Sequence, residues 1–267
     1  MRVDKSRNVD IFNRIWYNGG TGFAKIAIWR KMNMESLRKL VKSLEKTSDE
    51  KDIIKCLQSI ERALISDCLI CVCGIEIEPL WVEAYYFKDR VFADCNSHLS
   101  EKQKNRFGQV YFHETGRGGF DICLSLGNDY YLSFLIKSAI ANGEYITQTG
   151  IYKVLDFVGV SERECEQEKN TLKSKTANTE SSVLFATRVR LQKPCYKDAL
   201  LAAVPLEAIA KYDFKFARES LTPRAQEHIV KYINEHSQCT KDACKAECRR
   251  VFGWFPDIVA NTIKKLI

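Results

Sequence analysis

Cys68-Leu69-Ile70-Cys71-Val72-Cys73-Gly74-Ile75-Glu76-Ile77 is where the chain changes character. Its β-branched and apolar residues predict a strand. Trp81–Tyr86 and Val91–Ala93 continue the pattern, with Lys88-Asp89-Arg90 between them as a hairpin turn. Gln109–His113 and Phe120–Leu126 read as strands around the Thr115–Gly119 turn. Tyr130–Ala139 alternates as a further strand after the turn at Gly127-Asn128-Asp129. Strand follows strand through short turns, which predicts an antiparallel sheet.

On either side of this stretch the period changes from two to that of a helix. Residues 9–17 are amphipathic, with Val9, Ile11, Phe12, Ile15 and Trp16 on one side, and residues 23–32 suggest a second helix. Leu37, Leu40, Val41 and Leu44 predict a helix over 34–46, and Thr47-Ser48-Asp49-Glu50 signals the start of another over 49–65. Residues 161–181 are charged and poor in apolar residues; they read as an exposed helix followed by a mobile loop. Val183–Leu191 reads as a strand, and 197–211, 222–236, 240–252 and 255–266 as helices. The expected fold is α+β: a curved antiparallel sheet from 68–140 plus 183–191, with N-terminal and C-terminal helices packed around it. Three units are expected: a helical module over 1–65, a β-rich core over 66–195 and a helical module over 196–267.

The composition is that of a globular protein, with 45% apolar and 28% charged residues. No apolar run approaches the roughly 20 residues that span a bilayer, so no membrane is expected as a partner. No apolar signal core follows the first residues, and the eleven cysteines are scattered, several within apolar runs. A cytoplasmic protein with reduced thiols is the simplest expectation. His236, Cys239, Cys244 and Cys248 lie close in sequence but match no paired Cys-x-x-Cys pattern, so packed or free thiols are expected there, and no metal. The net charge of +7 is uneven. Residues 1–65 hold 14 Lys/Arg against 8 Asp/Glu, residues 66–150 hold 7 against 11, and residues 151–267 hold 20 against 15. Basic flanks around an acidic middle suit a polyanion such as DNA; basic helix faces are the plainer reading.

The chemistry-bearing residues fall in the strand region. Glu83-Ala84-Tyr85 is followed by His98, by Gly108-Gln109-Val110-Tyr111-Phe112-His113, by Gly116-Arg117-Gly118-Gly119 and Phe120-Asp121-Ile122-Cys123, and by Leu135-Ile136-Lys137-Ser138-Ala139. A carboxylate, aromatic rings, histidines and a glycine-rich turn on strands can form an active site. They can equally be a solvent-facing glutamate, satisfied histidines and a turn needing positive φ. Asp121 is either a second carboxylate of the site or an anchor for the turn before it.

In its order of motifs, the stretch from about 75 to 140 resembles the methylpurine (3-methyladenine, alkyladenine) DNA glycosylases. The resemblance implies base excision repair: hydrolysis of the N-glycosidic bond of a damaged purine by a Glu-activated water, without a cofactor. It implies Glu83 as the base and Lys137 beside the catalytic water, where the family carries Arg. It implies Tyr85, His98, Tyr111, His113 and Cys123 around the base; the family has Asn at the Cys123 position and an aromatic at the His113 position. Arg117 falls where the family inserts an aromatic wedge into DNA. Three function classes stay open: a glycosylase-like hydrolase, a non-catalytic nucleic-acid-binding protein on that scaffold, and a regulatory factor that meets a protein partner through its N-terminal helices.

Overall fold

The computed structural model describes residues 34–113, 120–146, 171–175, 182–189, 191–212, 215–236 and 238–267. The expected helices over 9–17 and 23–32, the exposed helix from 161 and the tip at Arg117 lie outside the described residues.

The fold is α+β, and the described strands pair antiparallel throughout. Helix α1 (Met34–Glu45) buries Leu37, Val41 and Leu44, one stripe at helical spacing. Helix α2 (Glu50–Asp67) starts at Asp49, whose carboxylate accepts a hydrogen bond from the Asp52 N–H at 3.0 Å. It runs directly into β1 (Cys68–Val72). The stretch read as one strand over Cys68–Ile77 is two. Cys73 and Gly74, with φ of 48° and 83°, make a two-residue hairpin turn into β2 (Ile75–Lys88). Positive φ at both turn positions matches the twist of the strands it joins.

β3 (Phe92–Ala93), β4 (Gln109–Phe112), β5 (Phe120–Cys123), β6 (Tyr130–Ala141) and β7 (Glu144–Ile146) follow. The expected open, curved sheet is instead a closed six-strand barrel, in the order β6-β5-β4-β8-β1-β2 and back to β6. Two features close it. The long strand β2 pairs with β6 from Ile77 to Lys88. β8 (Thr171–Ser174) bridges β1 and β4. β8 lies in the stretch read as a mobile loop; its backbone groups are paired to β1 despite its polar side chains. On its other edge β2 meets β1, then β10 (Ala202–Pro205) at Val82 and Glu83, then β3 at Phe87 and Lys88. β9 (Val183–Ala186) pairs with β10, so the strand expected over 183–191 ends at Ala186. The helix expected over 197–211 is β10 followed by the short helix α3 (Leu206–Lys211); burial of Ala202, Ala203 and Val204 against neighbouring strands outweighs their helical tendency. Helices α4 (Lys215–Glu235), α5 (Lys241–Phe252) and α6 (Asp257–Leu266) complete the chain.

One large core joins α1 and α2 to one face of the strands, through Val82, Ala84, Tyr86, Phe112, Phe120, Ile122, Leu132, Phe134 and Ile136. The three last helices have their own cluster around Ala225, Ile229, Cys244, Cys248, Phe252, Val259 and Ile263. No described helix is long and apolar enough to cross a membrane.

Candidate active site

Strand alternation sends every second residue to the face opposite that core. Cross-strand pairing then sets Tyr111, Asp121, Leu135 and Glu83 in one transverse row over β4, β5, β6 and β2. Cys123, Ser133 and Tyr85 form the next row. Directly paired residues point to the same side, so these residues share one face. The register between β2 and β6 shifts twice near this row, at Pro79/Trp81 and at Trp81/Val82. Lys137 is the β6 residue left without a partner on β2 by the second shift. Past it the core-facing positions of β6 change from Leu132, Phe134 and Ile136 to Ala139 and Ala141. Lys137 still alternates with Leu135 onto the cavity side, and the irregularity turns the residues after it.

The reading of Glu83 as a solvent-facing strand residue is overturned, because its side chain is 0% exposed. The Tyr85 hydroxyl donates to Oε2 at 2.9 Å, and the Lys137 ammonium lies 3.3 Å from the same oxygen. The Val189 backbone N–H donates to Oε1 at 3.1 Å. Burial, then the charge of Glu83, holds the Tyr85 phenol well above its ordinary range. The Arg188 guanidinium lies over the Tyr85 ring, 4.7 Å from its centre.

Over this floor lies a cavity of about 410 Å³. Tyr85, His98, His113, Asp121, Leu135 and Lys137 line it from the strands and the loop after β3. Asn96, Gln192 and Lys193 line it from two loops. Of the residues expected in the site, Tyr85, His98, His113 and Lys137 therefore meet on one concave surface. Glu83 and Tyr111 are joined to that lining by hydrogen bonds. The His98 Nε2 is 3.1 Å from the Tyr111 hydroxyl, and the two rings and that of His113 lie within 5.2–5.7 Å of one another. Cys123 is buried and is not part of the lining; burial, then the charge of Asp121, pushes its thiol up. Arg117 lies outside the described residues.

Asp121 belongs to the site. Its Oδ1 is 2.9 Å from the His113 Nε2, and its Oδ2 accepts from the Gln103 amide at 2.7 Å. Burial alone would raise this carboxyl. The charge of His113 and hydrogen bonds from His113, Ser133 and Gln103 outweigh it and hold Asp121 below the usual range. Sequence reasoning missed three contributors. Asp94 and Arg188 form an ion pair with both side chains 0% exposed, and Arg188 also donates to the Ala84 carbonyl at 3.0 Å. Val189, next to it, caps Glu83. No local pattern marks a pair 94 positions apart.

The third missed feature is a disulfide. Cys95 and Cys195 are bonded, with Cα atoms 5.8 Å apart, which overturns the expectation of reduced thiols at these two positions. A signal existed: Cys95 follows Ala93-Asp94 and precedes Asn96-Ser97, and Cys195 follows Lys193-Pro194, both polar surroundings, whereas Cys71 and Cys73 sit in an apolar run. The Asn96 amide reinforces the link by donating to the carbonyls of Lys193 and Cys195 at 3.1 and 3.0 Å. Of the other sulfur cluster, Cys239 and Cys244 have their Sγ atoms 2.9 Å apart, and the Cys248 thiol donates to the Trp254 carbonyl at 3.4 Å. Among the described residues no group of three or more His, Cys, Asp or Glu is arranged to hold a metal. A groove of about 460 Å³ on α4 is lined by Gln226, Glu227, Val230, Lys231, Asn234 and Glu235, all from that one helix. It gathers no convergent chemistry and is an ordinary charged helix face.

The chain matches no protein-family model and no curated protein.

Proposed function

We propose that the chain hydrolyses the N-glycosidic bond of a damaged purine in DNA, with Glu83 as the base that activates water. The observation that carries this reading is the fully buried Glu83 carboxylate held under a cavity walled by Tyr85, His98 and His113. Glu83 takes a proton from water, the water oxygen bonds to C1′, and the C1′–N bond breaks with its electron pair leaving on the base. Each carboxylate oxygen has two lone pairs, so Oε1, with Val189 as its neighbour, keeps one for the water. Lys137 and the Tyr85 hydroxyl fix Oε2 and with it the orientation of the carboxylate. The ring faces of Tyr85 and His113 provide stacking surface for a base taken out of the duplex.

A second reading has a specific observation behind it. Glu83 is absent from the cavity's lining and both of its oxygens are hydrogen-bonded, which suits a structural carboxylate in a nucleic-acid-binding or regulatory protein. Single-turnover base release decides between them, on duplexes carrying one alkylated, deaminated or oxidised purine. Glu83→Gln keeps the shape and should keep DNA binding, while release falls by a factor on the order of 10²–10⁴, as for loss of a general base. Full activity in Glu83→Gln removes the mechanism. Wild-type protein that binds these duplexes and releases no base leaves the second reading standing.

A further inference from the structure

We propose that Lys137 gives the chain a second activity, cleavage of DNA at an abasic site through a Schiff base with the C1′ aldehyde of the sugar. The proposal rests on the reading of the cavity as a nucleotide site, and it adds a reaction that base release by water does not require.

A lysine forms such a bond when its amine faces the bound carbonyl and a base lies within reach of its proton. Lys137 has both. Its side chain is 8% exposed, and it is in the cavity's lining. Alternation with Leu135 along β6 puts it there. Its ammonium is 3.3 Å from the Glu83 Oε2 and 6.0 Å from the centre of the Trp81 ring. Lys175, the other buried lysine among the described residues, is a useful contrast. Its ammonium donates to the Glu78 carboxylate at 2.6 Å and to the Ile65 carbonyl at 2.8 Å, and it is not in the lining of this cavity. Two short bonds to fixed acceptors are what a structural lysine makes. Among the described residues Lys137 has instead a longer ion pair to a carboxylate and a position on a cavity wall.

Glu83 first takes a proton from the Lys137 ammonium. The amine nitrogen adds to C1′ of the ring-opened sugar, forming a C–N bond. The C1′ oxygen leaves as water, carrying one proton from the nitrogen and one returned by Glu83, and an iminium remains. The Glu83 carboxylate then removes a C2′ proton. The C2′=C3′ double bond forms, and the C3′–O bond breaks with its electron pair leaving on the 3′ phosphate. Water hydrolyses the imine, freeing Lys137 and an unsaturated aldehyde. No oxidant or reductant is needed.

The test uses the full chain, a duplex with one preformed abasic site, and cyanoborohydride, whose hydride reduces the iminium to a stable amine. Wild-type protein should give a covalent protein–DNA adduct, with the modified peptide containing Lys137. Lys137→Arg keeps a cation beside Glu83 but has no nucleophilic amine, and its adduct should fall to the background set by protein without reductant. Circular dichroism on the variant confirms that it is folded. A wild-type adduct mapped to another amine, or an adduct undiminished in folded Lys137→Arg, overturns the proposal. Base release from damaged duplex by a wild-type chain that forms no adduct overturns it alone and leaves the hydrolysis standing. Neither adduct nor base release overturns both.

Discussion

Arg188 shapes the candidate site from behind. Its guanidinium is paired with Asp94, tied to the Ala84 carbonyl and laid against the Tyr85 ring. Removing Asp94 leaves a buried charge without its counter-ion, a change that typically costs about 3–5 kcal/mol. Asp94→Ala should therefore lose about that much unfolding free energy in urea, and a loss below about 1 kcal/mol, the value of an exposed pair, contradicts this role. Glu61, on α2, faces the same strand and accepts from the Ala84 N–H at 3.1 Å. It is fully buried, and its Oε2 has no hydrogen-bond partner among the described residues. Burial pushes its carboxyl well above the ordinary 4.5, against the smaller lowering effects of Ala84 and Arg188. The fold thus keeps a proton that the unfolded chain releases near pH 4.5. The stability linked to this group is full below that pH and declines as pH rises towards the folded value. Thermal unfolding of Glu61→Gln should lack that decline, so the difference in midpoint should move in favour of the variant from pH 4.5 to neutrality. A difference independent of pH would show that Glu61 is ionised in the fold.

At the scale of elements, the rim of the cavity is made by two loops that the disulfide and Asn96 tie together. Cys95 and Cys195 are 100 positions apart, and closing so long a loop in the unfolded chain gives a stabilisation of about 2–5 kcal/mol. The double variant Cys95→Ser/Cys195→Ser should be less stable than the oxidised wild type by that order, and the two should converge when the wild type is reduced. A gap that persists under reductant would trace the loss to serine packing instead of the bond. The pairing was not legible in the sequence because eleven cysteines admit many partners and only the folded path brings these loops together. The strands that carry Glu83, Tyr111, Asp121 and Lys137 were legible, since alternation and β-branched residues are local signals. β8 and β10 were not. Thr171–Ser174 is polar, Ala202–Val204 is alanine-rich, and both become strands through the neighbours that pair with them.

Over the whole molecule, the α+β class followed from strand patterns in the middle and helical periods at the ends. Barrel closure did not follow, because it depends on long-range pairing of β2 with β6 and on the narrow β4–β8 joint, where Gln109 meets Thr171. Closure matters for the site. It fixes the transverse row from Tyr111 through Asp121 and Leu135 to Glu83, so that residues as far apart in sequence as Glu83 and Leu135 lie side by side at the cavity or directly beneath it. The resemblance groups Glu83, Tyr85, Tyr111, His113 and Lys137 in one site; that the carboxylate lies beneath the lining was not legible, since sequence order carries no depth. The central claim is that this cavity receives a nucleotide for chemistry at Glu83. A crystal structure of the chain with duplex DNA holding a tetrahydrofuran abasic analogue, which has no aldehyde to react, tests it most directly. The account predicts the analogue's ring in the cavity, between Tyr85 and His113, with a water bridging Glu83 and C1′ at hydrogen-bond distance from the carboxylate. DNA bound elsewhere with the cavity unfilled, or a ring seated there with Glu83 sealed from C1′, would contradict it.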